Sequence, residues 1–192
     1  MEEIQEKKKR KGKKGKDFEA LIKKCAEKDN IFFLRLQDNL KFGGKIQGAR
    51  FSQKSPYDSI LFCPPNLFCL EMKSKEGTSL SYGKKSSCDI KQHQIDALTK
   101  ASQYNGVIAG FLIRFKERRT SRTYREEDVF FVNIIDFNKF ISESNKKSIS
   151  YNDCKKIGMI VPKENVGKRV IKYEYKIQEM INQIVNIDKK TG

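Results

Sequence analysis

The sequence has few of the side chains on which several kinds of site depend. It contains a single histidine, and its five cysteines are scattered, odd in number and mostly set in apolar segments. We therefore expect no zinc site and interpret the cysteines as buried free thiols. No apolar segment approaches the roughly 18 residues that span a bilayer, and the charged N-terminus lacks the apolar region of a signal peptide. These absences predict a cytoplasmic protein without a membrane partner.

Positive charge is what the chain has in excess. The formal net charge is +16, from 40 basic and 24 acidic residues, with a pI of about 9.6. Residues 1–16 carry eight basic and three acidic residues, a net charge of +5, so +11 belongs to the rest of the chain. A charged tail alone does not explain this excess, and DNA or RNA is the leading candidate for a partner.

The length of 192 residues suits one domain with a tail. Residues 1–14 are predicted to be a disordered basic arm, in which Lys7, Lys8, Lys9, Arg10 and Lys11 contact DNA; a solubility tail is the alternative. Residues 15–192 are predicted to form a single domain, with a core over about 15–141 and a C-terminal helical extension over about 142–192.

Apolar periodicity predicts helices alternating with strands, hence an α/β fold. The expected helices are 15–28, 89–104, 135–141 and 173–187, and the expected strands are 31–36, 58–62, 67–73, 107–115 and 128–134. The polar segment 76–87 is predicted to be a loop. Asp89 is expected to cap the second helix.

Three side chains in two adjacent strands form the most informative pattern. Glu71 and Lys73 are two residues apart in one apolar strand, so they emerge on the same face. If the chain folds back symmetrically about Pro64-Pro65, Asp58 lies opposite Glu71 on that face. Two carboxylates and an ammonium suit metal-assisted hydrolysis of a phosphodiester, because hard oxygen ligands hold Mg²⁺ and the cation steers water or offsets charge. A buried structural ion pair is the alternative.

Four local motifs resemble the PD-(D/E)XK nuclease core, and within that superfamily the RecU-type Holliday-junction resolvases. The motifs are Gly15-Lys16-Asp17-Phe18-Glu19, the segment from Ala49 to Asp58, Leu70-Glu71-Met72-Lys73-Ser74, and Lys91-Gln92-His93-Gln94. The resemblance covers about residues 15–141 and implies a restriction-endonuclease-like core, with a mixed central β-sheet flanked by helices in αβββαβ order. The RecU stalk would correspond here to the short segment from Asp38 to Gln53.

The resemblance also implies roles for particular residues. Asp58 and Glu71 would bind Mg²⁺, for which Mn²⁺ can substitute, and Lys73 would position the attacking water. Glu19 would reach the metal directly or through water, although the residues alone allow a surface pair with Lys23. Gln94 would lie near the site, whereas His93 is expected to orient or pack. Symmetric cleavage of a four-way junction implies a homodimer.

Further basic residues are expected to contact DNA from loops; these are Lys84, Lys85, Arg118, Arg119, Arg122 and Arg125. The function that the sequence favours is a Mg²⁺-dependent DNA endonuclease, most simply a Holliday-junction resolvase in recombination or repair, nucleoid-associated and of host or phage origin. A basic architectural DNA-binding protein is the alternative outside catalysis. A restriction-type endonuclease or an exonuclease is the alternative within the fold.

Overall fold

A six-stranded mixed β-sheet with helices on both faces frames the protein. The computed structural model describes residues 16–36, 55–167 and 172–191. The predicted arm with Lys7, Lys8, Lys9, Arg10 and Lys11, the expected stalk region and the start of the motif that leads to Asp58 lie outside these ranges. No helix in the described ranges is long and apolar enough to cross a membrane.

The first part of the chain supplies most of the central sheet. Its elements are α1 (residues 16–28), β1 (Phe32–Arg35), β2 (Ser59–Cys63), β3 (Asn66–Lys75), β4 (Ser79–Gly83), β5 (Ile90–Lys91), α2 (Gln92–Ala101) and β6 (Val107–Phe115). The elements that follow are β7 (Arg118–Arg119), β8 (Tyr124–Arg125), β9 (Asp128–Asn133), α3 (Ile134–Glu143), β10 (Ser148–Ser150), α4 (Tyr151–Ile157), β11 (Met159–Ile160), β12 (Lys163–Asn165), β13 (Tyr173–Tyr175) and α5 (Ile177–Thr191).

The sheet order is β1-β2-β3-β6-β9-β11, which places β3 in the interior of the sheet. Strands β3 and β6 are parallel and joined through α2, whereas the other neighbours in this sheet are antiparallel. The predicted α/β class and the order helix, three strands, helix, strand are confirmed, with β4 and β5 inserted before α2. Strand β3 is paired on both sides and covered on both faces, so its sequence is mostly apolar. The charged residues Glu71 and Lys73 are exceptions in this strand.

Two apolar layers hold the helices against the sheet. On one face, Phe18 and Ile22 of α1 and Ile181 of α5 pack in the same cluster as Leu70 of β3. On the other face, the buried side chains of α2, α3 and α4 cluster with Phe111 of β6. Helix α5 therefore belongs to the main core. The five cysteines are free thiols, and three of them are buried.

Two expectations about the middle of the chain are wrong. The polar segment expected to be a loop contains β4, because Leu80 is buried at 1% exposure and the strand pairs with β10 and β5. Asp89 does not cap α2, which begins after Lys91. The Asp89 carboxylate instead accepts hydrogen bonds from Lys75 Nζ at 2.7 and 2.8 Å and from the Ser81 amide at 3.0 Å.

The C-terminal region differs from the helical extension that the sequence favours. Tyr173–Tyr175 forms β13, which pairs with β12, so the last helix begins at Ile177. Strand β11 extends the central sheet beside β9, and α4 lies between β10 and β11. Residues beyond the expected core thus complete both the sheet and the packing of α1.

Gly110 on β6 allows the close approach of β9. A Cβ at this position would lie 2.5 Å from the Val132 carbonyl oxygen and 2.8 Å from the Phe131 ring. We expect Gly110→Ala to lower the free energy of unfolding by about 2–4 kcal/mol, because buried backbone must move. Urea denaturation measures this. Gly77→Ala is the control, since a Cβ there meets only Lys75 side-chain atoms at 3.6 Å and beyond; equal stability of the two variants would contradict the packing described.

Candidate active site

Asp58 and Glu71 lie opposite each other on one face of the sheet. The register pairs Ser59 with Leu70, and the Asp58 amide donates to the Leu70 carbonyl at 3.1 Å. The next opposed pair is therefore Asp58 and Glu71, as the symmetric fold-back predicts. The two carboxylates are close enough that Asp58 contributes to the raised pKa of Glu71. The expectation of a shared face is confirmed.

Glu71 is a buried carboxylate with two donors on a single oxygen. The residue is 2% exposed, and its Oε1 accepts from Lys73 Nζ at 2.8 Å. The side-chain amide of Gln94 donates to the same oxygen. Burial raises the pKa of Glu71 to about 7, and Asp58 adds to this, while Lys73 partly offsets it. Such a shift in an acid within a polar cluster is typical of a functional site.

The peptide backbone fixes Asp58. Its Oδ2 accepts a hydrogen bond from the Met72 amide at 2.7 Å, across the hairpin. The carbonyl of Asp58 accepts from the Leu36 amide at 2.8 Å, which ties the entry of β2 to the end of β1. The carboxylate therefore has a defined position beside Glu71 although it lies just outside the regular strand.

Helix α2 aims Gln94 at Glu71. The Lys91 amide donates to Gln94 Oε1 at 3.0 Å, so the side-chain amide is oriented with its nitrogen toward Glu71. This bond also satisfies one of the backbone donors at the start of the helix. His93, one residue earlier, is exposed and faces away from packing. A packing role for His93 is therefore wrong, and an orienting role stays a prediction. The Gln94 side chain lies beside Glu71, and its role in a site stays a prediction.

Glu19 belongs to α1, which packs on the face of the sheet opposite to that of Glu71. Its carboxylate is nevertheless close enough to Asp58 to interact with it electrostatically. It forms an ion pair with Arg35 of β1, and its side chain is 13% exposed. Burial raises the pKa of Glu19 and Asp58 raises it further, while Arg35 lowers it. Glu19 is thus electrostatically linked to Asp58, but its carboxylate is engaged by an arginine. Its role as a metal ligand stays a prediction.

Two cationic neighbours of the cluster, Lys75 and Arg35, were not singled out from the sequence. Lys75 continues the row of Glu71 and Lys73 on β3 and binds Asp89, so alternation along the strand was a signal for it. Asp89 has a lowered pKa, because Lys75 and the Ser81 donors outweigh the effect of burial, which alone raises it. Arg35 carried no local signal, since its contact with Glu19 spans two separate elements.

The two carboxylates of the cluster, Asp58 and Glu71, have the oxygen chemistry that Mg²⁺ prefers. Within residues 16–36, 55–167 and 172–186, no group of three or more His, Cys, Asp or Glu side chains is placed to hold a metal. Two opposed carboxylates, Asp58 and Glu71, are nevertheless what Mg²⁺ commonly takes from a protein, with water and substrate phosphate completing its shell. A bound cation would stabilise the ionised form of Glu71, which burial disfavours.

The basic residues assigned to DNA lie in different surroundings. Lys84 and Lys85 are exposed in the turn after β4, next to Gly83, which pairs with Lys91 at the start of α2. The side chains of the β7–β8 hairpin are exposed at Arg118, Arg119 and Arg122. Arg125 is half-buried, and its Nη2 donates to the carbonyls of Gly77 and Lys116 at 3.2 and 2.9 Å. None of these assignments is tested by contacts within the protein, and they stay predictions.

Comparison with known proteins gives a clear relative. No protein-family model matches the chain. The chain is 33% identical over 183 residues to an SPbeta prophage-derived uncharacterized protein, YotM, of Bacillus subtilis (strain 168), which covers 89% of this chain and 86% of that protein. Among solved structures, the Holliday junction resolvase Hjc of Archaeoglobus fulgidus aligns with 12% identity and a TM-score of 0.42, covering 74% of this chain and 91% of that one.

Proposed function

The chain belongs to the family of the SPbeta prophage-derived protein YotM of Bacillus subtilis, and we propose that it is a divalent-metal-dependent DNA endonuclease. The observation that carries this proposal is the cluster on one face of β2 and β3. There Asp58 opposes the buried Glu71, and Lys73 Nζ lies 2.8 Å from Glu71 Oε1. A charged cluster in the interior strand of a sheet is costly unless it performs a task.

The residues of the cluster would have different roles in hydrolysis. Asp58 and Glu71 would hold Mg²⁺, with Mn²⁺ as a substitute and Glu19 as a further ligand through water. The metal would stabilise charge on the scissile phosphate and the leaving oxygen. Lys73, whose side chain is 17% exposed, orients the attacking water or offsets developing charge. Gln94 holds Glu71 in place through its amide.

DNA is the partner that the charge supports. The chain carries a formal net charge of +16. Lys84 and Lys85 are exposed in the turn after β4, and Arg118, Arg119 and Arg122 are exposed on the β7–β8 hairpin. Phosphate contacts release counterions from DNA, so binding weakens with salt. The row from Glu71 to Lys75 on β3 would lie beneath the bound strand.

The preferred substrate is proposed to be a four-way junction, with cleavage by a homodimer. The motifs that resemble RecU-type resolvases support this choice, because paired symmetric nicks need two sites related by a two-fold axis. A phage origin, and a role in recombination or repair of DNA in the cytoplasm, fit the prophage origin of the relative.

Product mapping tests the proposal. Purified protein is incubated with end-labelled four-way junction, duplex and single strand, with Mg²⁺ or with EDTA, and products are sized. We expect paired nicks at symmetric positions of the junction, at least about tenfold faster than duplex cleavage, and no cleavage in EDTA. Sequence-fixed duplex cuts would indicate a restriction-type enzyme, and progressive trimming an exonuclease.

An architectural DNA-binding protein is the second candidate, and one observation favours it. The Lys73 ammonium and the Glu71 carboxylate already form an ion pair, which a structural role would also require. This candidate predicts binding to all three DNA forms and cleavage of none with Mg²⁺ or Mn²⁺. That outcome would overturn the endonuclease proposal.

A further inference from the structure

A cavity of about 470 Å³, lined by residues with polar or charged groups, lies between the β7–β8 hairpin and the start of α4. It is lined by Arg118, Arg125, Asn152 and three threonines, Thr78, Thr120 and Thr123, among others. Two cationic side chains with hydroxyl and amide neighbours form a lining that recognises oxyanions. None of the lining residues belongs to the cluster around Glu71.

Two arginines face each other across the hairpin that forms one wall. Arg118 and Arg125 occupy directly opposed positions, where like charges destabilise a strand pair. Arg118 contributes to the lowered pKa of Arg125, for which burial is the main cause. The three carboxylates that follow Arg125 in the chain, Glu126, Glu127 and Asp128, pair with Lys163 or Arg114. An anion between them would relieve this repulsion.

Arg125 is fixed, whereas Arg118 is exposed. The Arg125 guanidinium donates to two carbonyls and lies over the rings of Phe115 and Tyr151, at 5.4 and 5.1 Å from their centroids. Because this guanidinium packs on the Tyr151 ring, the lining favours a phosphate over a stacked base. Arg118 is exposed on β7, so its guanidinium is accessible to a ligand.

The cavity lies on the same sheet face as the candidate active site. Phe115, beneath Arg125, pairs with Lys75, which is two residues beyond Lys73 on the strand. That step is roughly 7 Å along the strand, with about 5 Å more to reach the neighbouring strand. A DNA strand that lies over Lys73 can therefore reach the cavity with another of its phosphates.

We propose that this cavity binds a backbone phosphate of the DNA strand that is cut, a few nucleotides from the cleavage position. The proposal rests on the proposed function, since it takes the cluster around Glu71 as the place of cleavage. Arg118 makes the main contact, Arg125 supplies fixed positive charge, and the threonines donate hydroxyl hydrogen bonds. The bound phosphate sets which phosphodiester lies over Lys73.

The test compares two neighbouring arginines. Arg118→Gln and Arg119→Gln remove the same charge from the same exposed hairpin, but Arg119 lies over Tyr124, at 5.3 Å from the ring, and does not line the cavity. DNA affinity is measured by fluorescence anisotropy in EDTA at several salt concentrations. We expect Arg118→Gln to weaken binding about tenfold and to lower the salt slope by about one. Arg119 is a surface DNA contact outside the cavity, so Arg119→Gln should weaken binding by the smaller amount typical of one exposed charge, less than about threefold.

A second variant tests the cavity by adding a charge instead of removing one. Asn152→Asp places a carboxylate of nearly the same shape beside the two arginines, so we expect thermal stability to rise or hold while DNA affinity falls about tenfold. DNA carrying one neutral methylphosphonate at successive positions then locates the contact. One position should weaken binding of the wild type but not of Arg118→Gln.

The outcomes separate this site from the nuclease proposal. Equal losses for Arg118→Gln and Arg119→Gln, or full affinity in Asn152→Asp, would overturn the phosphate site while cleavage by the wild type stands. Selective loss in Arg118→Gln and at one methylphosphonate position, in a protein that never cuts DNA, would sustain phosphate binding and overturn its link to cleavage.

Discussion

Lys73→Met is expected to reduce DNA cleavage about 10³-fold and to leave DNA affinity within about twofold of the wild type. Methionine fills the same space as the aliphatic part of lysine but cannot hold water or offset charge. The ammonium lies 2.8 Å from Glu71 Oε1, and the Lys73 side chain is only 17% exposed, so we expect it to add little to the overall affinity for DNA. Single-turnover cleavage of labelled junction and anisotropy in EDTA measure the two effects.

Lys75→Met is the matched control for this variant. Lys75 lies two residues further along the same strand and face, where it pairs with Asp89. Lys75→Met should reduce cleavage less than about tenfold, because Lys75 does not contact Glu71 or the proposed site of the attacking water. Wild-type cleavage by Lys73→Met, or equal losses in the two variants, would show that Lys73 has a structural role only.

Glu71→Gln is expected to abolish cleavage and, in metal-free protein, to raise stability above pH 7. Glutamine resembles the protonated acid and can still accept from Lys73 and Gln94. Burial raises the pKa of Glu71 from 4.5 to about 7, so ionising it in the folded protein is costly. The variant removes a carboxylate that metal would need and also removes that cost.

The direction in which stability changes with pH follows from the number of protons that Glu71 binds in the folded and unfolded states. Between pH 4.5 and about 7 the folded protein keeps the proton of Glu71 while the unfolded chain releases it, so stability falls as pH rises through this window. Ionisation of Glu71 lowers the free energy of unfolding of the wild type by about 3 kcal/mol across this window, and Glu71→Gln lacks this effect. Urea denaturation in EDTA at pH 5 and pH 8.5 measures the difference between the proteins at each pH.

Glu27→Gln is the control for the pH effect, since Glu27 is exposed on α1 and its ion pair with Lys23 spans 3.6 Å. It should change stability by less than about 0.5 kcal/mol at either pH. A Glu71→Gln protein that is less stable than wild type at pH 8.5 would mean that the ionised carboxylate stabilises the fold, as in the structural interpretation.

The geometry of the carboxylate pair could be read from the sequence because it depends on local rules. Alternation along a strand puts Glu71 and Lys73 on one face, and a short turn at Pro64-Pro65 leaves few registers for the hairpin. Apolar residues on both faces of β3 indicate an interior strand, and the structure confirms this position.

Contacts between distant elements could not be read in the same way. Arg35 meets Glu19 because β1 and α1 pack together, and neither residue carries a sign of this in its own segment. Strand β4 buries only Leu80, so its composition resembles that of a loop, and pairing with β10 decides its structure. Tyr173 fits the helical spacing of α5 but pairs with Asn165 instead.

Manganese binding to an uncut DNA complex tests the account most directly. The Lys73→Met protein is bound to junction DNA, so that substrate phosphate can complete the metal shell, and free Mn²⁺ is followed by electron paramagnetic resonance. We expect saturable binding above that of DNA alone, weakened at least about tenfold when Asp58→Asn or Glu71→Gln is added. Unchanged Mn²⁺ binding after removal of either carboxylate would contradict a metal site between Asp58 and Glu71.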